Sequence, residues 1–284
     1  MENTMTQLNS ESILEHPDIS GEYALSESKI ADFQQNGHVL LPGLCSPAEA
    51  AAYRSVITEA TYGNNKETRP MEERDTYSRA FLQIMNLWKL DARVARFTLA
   101  RRFAKVAAEL LKADGVRLYH DQALYKEAGG GHTPWHQDQY YWPIEQKGIR
   151  SLTMWMPLVD VTIEMGALTF ASKSHTEGFQ GHLAISDKSH DEFDKTVKDK
   201  GYSVVNANMK AGDATFHSGW TLHCAPGNAG TIAREVMTVI YIAEGTFITE
   251  PDNENREIDL KGWLPGQKPG ETVGSPLNPL LYSK

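Results

Sequence analysis

Cysteine residues and clustered basic residues are both scarce in this sequence of 284 residues. The two cysteines, Cys45 and Cys224, are far apart, so they provide no disulfide framework and favour a reducing compartment, which we expect to be the cytoplasm. Acidic residues outnumber basic ones by 37 to 28, the formal net charge is -9, and no block of lysine or arginine occurs. This balance argues against nucleic acid or an anionic membrane as the main partner and favours a small-molecule substrate.

Long apolar runs are also missing from the sequence. No stretch of about eighteen apolar residues occurs, and residues 1–10 have neither a basic start nor an apolar run of secretory length. We therefore expect a protein that is neither exported nor inserted in a membrane. Residues 1–25 are polar and irregular, which predicts a flexible tail or a strap over the surface. Residues 26–284 are expected to form a single domain, because barrel-type domains reach this size undivided.

Short segments rich in apolar, β-branched and aromatic residues dominate the sequence after residue 115. Turn sequences such as 129–131, 211–213 and 225–228 separate these segments. The segments predict strands at 116–126, 151–159, 167–171, 203–208, 214–217 and 235–243. A mainly β core follows from this pattern.

Helical patterns occupy the sequence before these strands. A serine cap and a stop at Gly37 predict a short helix. Residues 46–49 combine a serine cap, a first-turn proline and a capping-box glutamate, which predict a helix that continues to about residue 60. Residues 91–113 carry apolar side chains at helical spacing and predict one long helix or two helices broken near Ala100. We expect these helices to buttress the β core.

Residues 176–202 interrupt the strand pattern with a charged stretch. A connection of this length within a compact domain is typical of a functional lid or a disordered insertion. A solvated surface helix or loop explains the same composition, so both interpretations stay open.

The segment His136-Gln137-Asp138 and the downstream His223 supply two imidazoles and one carboxylate. This is the ligand set of a mononuclear iron(II) site that leaves positions open for a co-substrate and oxygen. Alternate residues of a strand point to the same side, so His136 and Asp138 can reach one metal ion while Gln137 points away. Arg234 begins a segment that predicts a buried strand, and its forked guanidinium is suited to the carboxylate of an oxo-acid co-substrate.

The residues around this motif resemble the phytanoyl-CoA dioxygenase (PhyH) family of iron(II)/2-oxoglutarate oxygenases. Residues 129–143 contain Pro-Trp-His-Gln-Asp, which matches the family's Pro-Trp-His-x-Asp core. The similarity extends far beyond this core, through the segments 36–44, 86–88, 117–126, 152–160, 166–175 and 223–234.

The resemblance implies a mainly β fold, the double-stranded β-helix (jelly-roll, cupin-like), with buttressing N-terminal helices and a metal at its mouth. It implies that His136, Asp138 and His223 bind Fe(II), and that Arg234 binds the distal carboxylate of 2-oxoglutarate. Dioxygen is then the other co-substrate. By the same resemblance, further residues lie at the co-substrate pocket: Thr169, Gln122 and Trp155.

Two positions bear on how far the family's chemistry applies. Where many relatives have Pro-Gly-Ser-His, this sequence has Ser172-Lys173-Ser174-His175, so a role built on that glycine turn stays open. Relatives that halogenate replace the metal-binding aspartate by a small residue, and Asp138 is present here. The resemblance therefore implies hydroxylation of a small molecule with release of succinate and carbon dioxide.

Three other interpretations also fit parts of the pattern. A non-oxidative metalloenzyme on the same barrel would keep the three ligands but has no use for Arg234 at its fixed spacing. A desaturating or cyclising oxygenase of secondary metabolism would keep all four residues. A binding protein with a residual site would more readily lose a ligand, and none is lost.

Several side chains near these segments have both a functional and a structural interpretation. His132 lies four residues before His136, but Pro134 and the flanking glycines indicate a loop, which disfavours His132 as a ligand. The aromatic run 140–142 either lines the substrate mouth or packs at the rim. We expect Cys224 to be a small buried residue. Lys126 either binds a carboxylate of the substrate or co-substrate or caps the end of its strand in solvent. Asn86 and Trp88 either lie on the substrate side or pack against helices.

Overall fold

The chain folds into two antiparallel sheets with helices packed against both of them, in a computed structural model that describes residues 16–181 and 183–284. The strands are β1 (His38–Leu41), β2 (Leu82–Met85), β3 (Gly115–Tyr125), β4 (Thr133–His136), β5 (Ser151–Pro157), β6 (Thr169–Ala171), β7 (Val204–Asn206), β8 (Ala214–Ser218), β9 (His223–Ala225), β10 (Val236–Ala243) and β11 (Leu280–Ser283). The α-helices are α1 (Glu27–Asn36), α2 (Pro47–Asn64), α3 (Thr76–Ala80), α4 (Leu87–Leu90), α5 (Ala92–Thr98), α6 (Arg101–Leu111), α7 (Asp187–Lys200) and α8 (Glu254–Trp263).

The two sheets form the two halves of a jelly-roll. The larger sheet has the strand order β1-β8-β5-β10-β3-β11, with β2 also paired to β3, and the smaller sheet has the order β4-β9-β6-β7. All of these pairs are antiparallel. Apolar side chains of both sheets, among them Trp155 of β5 and Phe170 of β6, pack together between them. The predicted double-stranded β-helix is therefore confirmed.

Strand β10 is a nearly continuous run of apolar residues in the sequence. Each of its residues is buried. Met237, Val239 and Tyr241 belong to the hydrophobic core that the sheet shares with the helices, whereas Val236 and Ile240 belong to clusters on the opposite face. Since successive side chains point to opposite faces, a strand covered on both faces needs apolar residues at nearly every position.

Helices α2, α5 and α6 cover the outer face of the larger sheet. Their side chains Tyr53, Phe97 and Phe103 join the same core, and the Phe97 ring centroid lies 5.4 Å from that of Tyr53 and 5.1 Å from that of Phe103. These are the predicted buttressing helices, and they leave the inner face of the sheet free. None of the described helices is long and apolar enough to cross a membrane.

The helix ends follow the predicted capping pattern. Helix α1 begins with a serine cap and ends at Gly37, whose φ of 79° lies in the left-handed region that favours glycine. Helix α2 begins with the predicted capping box and runs to Asn64, beyond the predicted end near residue 60. The predicted break near Ala100 is confirmed, because this residue separates α5 from α6.

All six predicted strands are present, as β3, β5, β6, β7, β8 and β10. The sequence analysis did not predict the helices α3, α4 and α8, nor the strands β1, β2, β9 and β11. These strands have three or four residues each, which is too few to show a clear alternation of apolar and polar residues. They exist because a neighbouring strand supplies their hydrogen-bond partners.

The described part of the predicted N-terminal tail, residues 16–25, lies along the helical layer. Ile19 is buried there, and the backbone carbonyls of Pro17 and Gly21 accept hydrogen bonds from the side chains of Tyr53 and Arg102. Residues 1–15 of the predicted tail lie outside the described residues. The segment 16–25 therefore forms a strap over α2 and α6.

For residues 176–202 a lid and a surface helix were both open; the described residues of this segment, 176–181 and 183–202, form a loop region followed by α7. Phe193 and Val197 of α7 pack with Trp135 of β4, so the helix covers the outer face of the smaller sheet. Ile185, in the loop before α7, lines the cavity between the sheets. The segment thus contributes both a cover for the sheet and a part of the cavity wall.

The capping box of α2 leads to a prediction about stability. The Ser46 hydroxyl accepts a hydrogen bond from the Glu49 amide, and Ser46→Ala leaves that amide without a partner. We expect the substitution to lower the free energy of unfolding by about 1 kcal/mol, within the range of about 0.5–2 kcal/mol for lost N-caps. Urea denaturation followed by circular dichroism measures the change. Ser55→Ala, an exposed position in the middle of α2, is the control, and an equal effect in both variants would contradict the prediction.

Candidate active site

Strand pairing places the two histidines of the motif side by side. His136 is the last residue of β4 and lies opposite His223, the first residue of β9. Their ring centroids are 4.0 Å apart. Both side chains are nearly buried, and a slip of this pairing by one residue would turn one of the two rings away.

Asp138 is not part of a strand, contrary to the prediction. Strand β4 ends at His136, and Asp138 begins a 3-10 turn. Gln137 between them is extended, with φ of -119° and ψ of 125°, so the alternation continues one residue beyond the strand. Oδ1 of Asp138 lies 3.5 Å from Nε2 of His136 and 3.6 Å from Nε2 of His223. Ligand atoms of these three residues all lie within 4.8 Å of one another, so they can hold one metal ion.

Backbone carbonyls fix the orientation of both imidazoles. Nδ1 of His136 donates to the Pro134 carbonyl at 2.8 Å, and Nδ1 of His223 donates to the Thr221 carbonyl at 2.9 Å. With the proton on Nδ1, the lone pair of Nε2 is left for a metal. Burial, together with the neighbouring His136 and His217, holds the pKa of His223 well below its ordinary value. The ring is therefore neutral, as a metal ligand must be.

The two oxygens of Asp138 have different surroundings. Oδ2 accepts a hydrogen bond from the Thr153 hydroxyl at 2.8 Å and lies 3.3 Å from Nε2 of His217, whereas Oδ1 faces the other two motif side chains. Burial opposes ionisation of Asp138, but the hydrogen bond from His217 to Oδ2 favours the carboxylate, and the pKa of Asp138 lies well below its ordinary value. The group therefore offers two imidazoles and one carboxylate oxygen, a donor set that fits iron(II).

The sequence analysis missed Thr153 and His217. Both lie in strands that it predicted, and Thr153 pairs directly with His217 across β5 and β8. A histidine inside an otherwise apolar buried strand is the one signal that pointed to His217. Its contact with Asp138 depends on the packing of the two sheets, which no local pattern encodes.

The metal-binding group lies in the wall of a cavity of about 270 Å³ between the two sheets. Other lining residues come from β3, β4, β5, β8, β10 and the segments next to strands: His120, Gln122, Leu124, Thr133, Thr153, Trp155, Leu168, His217, Arg234 and Thr238. A second set, half of it aromatic, lines the cavity from β2, the helices and the loops: Tyr77, Phe81, Gln83, Met85, Tyr141, Trp142, Ile185, Ile258, Asp259 and Trp263.

Strand β3 gives the cavity its direction. His120, Gln122 and Leu124 lie two residues apart along β3 and all line the cavity, as expected for side chains on one face of a strand. Lys126 follows at the end of this row and pairs with Arg234 through their backbones. The cavity therefore runs from an end near His120 to an end near Arg234.

Arg234 is buried without a compensating negative charge. Nη1 donates to the Gly166 carbonyl at 2.6 Å and Nη2 to the Leu124 carbonyl at 3.4 Å, while Nε has no hydrogen-bond partner. No carboxylate of the described residues forms an ion pair with this guanidinium, which lies 5.3 Å from the ring centroid of Trp155. Burial lowers the pKa of Arg234 to about 9. This end of the cavity therefore favours binding of an anion.

Lys126 lies beside Arg234 and is fully buried, so it does not cap the strand end in solvent. Its Nζ donates to the Gly131 carbonyl and lies 3.4 Å from the Thr133 hydroxyl. Burial, with a further contribution from Arg234, lowers the pKa of Lys126 to about 6. The lysine does not line the cavity itself, and with this pKa it is largely neutral at pH 7, so Arg234 carries the positive charge of this end.

The other predicted pocket residues divide into two groups. Gln122 and Trp155 line the cavity as expected, and Oε1 of Gln122 accepts a hydrogen bond from Nε2 of Gln83 at 2.5 Å. Thr169 is not among the lining residues, and its hydroxyl lies 3.4 Å from Nδ2 of Asn206. The lining threonine near the Arg234 end is Thr133.

The remaining candidates occupy the following places. Tyr141 and Trp142 line the cavity, and Tyr140 is buried outside it. His132 lies apart from the metal-binding group, with Nε2 3.9 Å from Asp187. Cys224, Asn86 and Trp88 lie outside the cavity. Cys224 is buried, which raises the pKa of its thiol to about 12. Nε1 of Trp88 donates a hydrogen bond to Oδ1 of Asn86 on the helical side of β3.

The segment that departs from the family pattern keeps the turn without the glycine. Lys173 has φ of 72° and ψ of -3°, which is the left-handed conformation that glycine adopts more readily. Its amide donates to the Asn36 carbonyl at 2.9 Å. A backbone contact therefore holds the lysine in this conformation.

A family model decides the assignment. The model for phytanoyl-CoA dioxygenase (PhyH) matches residues 33–236, which contain all four residues of the predicted site. The chain belongs to the PhyH family. Members of the PhyH family are dioxygenases that depend on iron and 2-oxoglutarate, and the chain accordingly is one of them, as the resemblance in sequence implied.

Two kinds of relatives agree with the PhyH assignment. Ectoine dioxygenase of Bordetella parapertussis is 23% identical over 246 residues, which cover 80% of this chain and 79% of the relative. Among solved structures, the carbocyclase SnoK of nogalamycin biosynthesis has a TM-score of 0.74 at 22% identity, covering 92% of this chain and 99% of its own. The epimerase SnoN of the same biosynthesis has a TM-score of 0.72 at 23% identity, covering 90% and 98%. These structures share the fold of this chain.

The hydrogen bond from Thr153 to Asp138 leads to a prediction about metal affinity. Thr153→Val removes the donor that orients the carboxylate, and loss of such a partner is expected to weaken metal binding by roughly 10–100-fold. Titration of the metal-free protein with Mn(II) or Fe(II) under nitrogen measures the affinity. Thr215→Val is the matched control, because the Thr215 hydroxyl is also buried but has no hydrogen-bond partner. Unchanged affinity in the Thr153 variant would show that the carboxylate does not need this donor.

Proposed function

We propose that this PhyH-family chain is a hydroxylase of a small molecule, formed as one domain by residues 26–284. One observation carries the proposal. A single cavity is lined by a group of two imidazoles and one carboxylate and, at one end, by a buried guanidinium that has no carboxylate partner among the described residues. The two buried free cysteines support a reducing compartment, the cytoplasm, as the place of action.

His136, Asp138 and His223 are the proposed iron ligands. Thr153 and His217 contact Oδ2 of Asp138, so the carboxylate would offer Oδ1 to the metal, and all three ligands line the cavity through which a co-substrate would reach it. When bound, iron(II) and 2-oxoglutarate supply the oxidising chemistry with dioxygen, and the co-substrate leaves as succinate and carbon dioxide. The chain's own part is to hold the reacting groups in place and to keep competing reactions out.

Arg234 is the proposed ligand of the distal carboxylate of 2-oxoglutarate. Its Nε is a buried donor without a partner, and an unpaired buried charge costs several kcal/mol. A carboxylate at this end of the cavity would satisfy the donor and neutralise the charge. Trp155 and Gln122 line the wall beside it and would fix the direction of the co-substrate.

Asp138 favours hydroxylation over halogenation, because it occupies the position that halogenating relatives leave to a halide. The fold similarity to an epimerase and a carbocyclase supports a second candidate, an oxygenase that closes a ring or inverts a centre. Which of these occurs depends on the substrate carbon held next to the metal. A non-oxidative metalloenzyme is disfavoured, since it would have no use for the unpaired Arg234.

Arg234 leads to a prediction about the co-substrate. Arg234→Ala should raise the apparent KM for 2-oxoglutarate, because loss of a buried charge-assisted pair costs about 2–5 kcal/mol, or roughly 30- to 5,000-fold. Arg234→Lys should restore part of this loss, since a point charge lacks the fork of the guanidinium. Succinate release at increasing 2-oxoglutarate measures the effect. Metal affinity measured in the same variants is the control, and an unchanged KM in the alanine variant would place the carboxylate elsewhere.

The reaction type leads to a prediction about oxygen atoms. Succinate release with Fe(II), ascorbate and 2-oxoglutarate across a panel of small molecules identifies a substrate, and the reaction is then run under labelled dioxygen. Hydroxylation should place one labelled atom in succinate and one in the product, apart from some exchange with water. A labelled succinate with an unlabelled product would favour ring closure, epimerisation or desaturation instead. A carbon–halogen bond formed in the presence of chloride would contradict the role given to Asp138.

A further inference from the structure

The end of the cavity opposite Arg234 is built largely by residues that neither the metal nor the co-substrate uses. Helix α8 contributes Ile258, Asp259 and Trp263 to it. This helix lies outside the family-matched residues 33–236. These side chains are therefore not part of the family's common catalytic machinery. Their position in the cavity suits recognition of a substrate specific to this chain.

Asp259 is the only carboxylate besides Asp138 among the described lining residues of the cavity. Its Oδ2 accepts a hydrogen bond from the Tyr119 hydroxyl at 3.1 Å, and its Oδ1 accepts one from Nε1 of Trp263 at 3.2 Å. An ionised carboxylate has about four acceptor sites, so these two bonds leave Asp259 able to accept more. A β-bulge in β3 between the partners of Ile240 and Tyr241 re-aims the strand at this point.

No cation of the described residues pairs with Asp259. Two cations lie on the same helix: Arg256 is bound to Asp252 and to the backbone carbonyls of Gln139 and Tyr140, and Lys261 is paired with Glu257. His120 lines the same end, but burial lowers its pKa to about 3, so it is neutral. Burial raises the pKa of Asp259 to about 7, against the hydrogen bonds from Tyr119 and Trp263. A partly buried carboxylate of this kind is stabilised by a cation that arrives from the cavity.

Two aromatic side chains, Tyr119 and Trp263, contact this carboxylate, and other aromatic rings line the same cavity. The Trp263 ring lies 5.4 Å from His120, and the Trp142 ring lies 5.7 Å from Tyr119, while Tyr77 and Phe81 line the cavity from α3 and the residue after it. The faces of such rings attract ammonium groups as well as apolar surface. The combination of an unpaired carboxylate and aromatic walls is thus selective for a group that is both cationic and attached to an apolar body.

We propose that Asp259 binds a protonated amine of the substrate, and that the aromatic walls hold the apolar part of the same molecule. The proposal rests on the proposed oxygenase function and names its substrate class, an amine with an apolar or aromatic body. Arg234 and Asp259 then divide the cavity by charge. The anionic co-substrate binds at the Arg234 end and the cationic substrate at the Asp259 end. Repulsion between like charges disfavours binding of either molecule at the other end.

A binding experiment tests this proposal without turnover. The full-length protein is loaded with Mn(II) and 2-oxoglutarate under nitrogen, and two probes of equal size are titrated, 2-phenylethylamine and the neutral 2-phenylethanol. We expect the amine to bind at least tenfold more tightly than the alcohol. Asp259→Asn should abolish this preference. Glu257→Gln, which removes an equal charge from a solvent-exposed side chain of α8, should retain it.

Each outcome bears on the proposal. Equal binding of amine and alcohol by the unchanged protein would overturn the cationic substrate, and this comparison needs no variant to fold. A preference for the amine that survives in Asp259→Asn would overturn the assignment to this carboxylate, with circular dichroism confirming that the variant is folded. Succinate release is measured separately: an amine preference without any succinate would contradict the oxygenase function and leave the cation site supported.

Discussion

The pairing of β4 with β9 is the contact on which the proposed metal site depends, because it sets two histidines from distant parts of the chain opposite each other. The pairing involves few residues, and its register is held by the burial of both strands. A strand slip by one position would move every side chain to the other face. The apolar packing of Trp135 and Leu222 behind these strands, with α7 over them, therefore protects the geometry of the site.

Uncompensated charge at the two ends organises the rest of the cavity. The buried guanidinium of Arg234 lies at one end and Asp259 at the other, with the metal-binding group in the wall between them. Hydrogen bonds to backbone carbonyls orient Arg234 without neutralising it. An interior that carries unpaired charge is costly for folding, and such positions are typical of sites that bind charged ligands. The parts that support the family chemistry lie within residues 33–236, whereas the negative end depends on α8.

Much of this molecule follows from the sequence alone. Capping residues and helical spacing predicted α1, α2 and the break at Ala100, since these signals act within a few residues of one another. Six strands followed from their apolar and β-branched content. The candidate site of two histidines, Asp138 and Arg234 could be predicted because its residue types and spacing match the ligands that a metal ion and a carboxylate require. The resemblance to the family then predicted the jelly-roll fold.

Only the tertiary structure decided which side chains from different strands meet. It placed Asp138 in a turn after β4, brought Thr153 and His217 to its second oxygen, turned Thr169 away from the cavity and carried Asp259 into it. The sequence contains the alternation that sends side chains to one face or the other, but not the partners across a sheet or between sheets. Those partners are fixed by register and by packing over long separations in sequence, which depend on the whole chain at once.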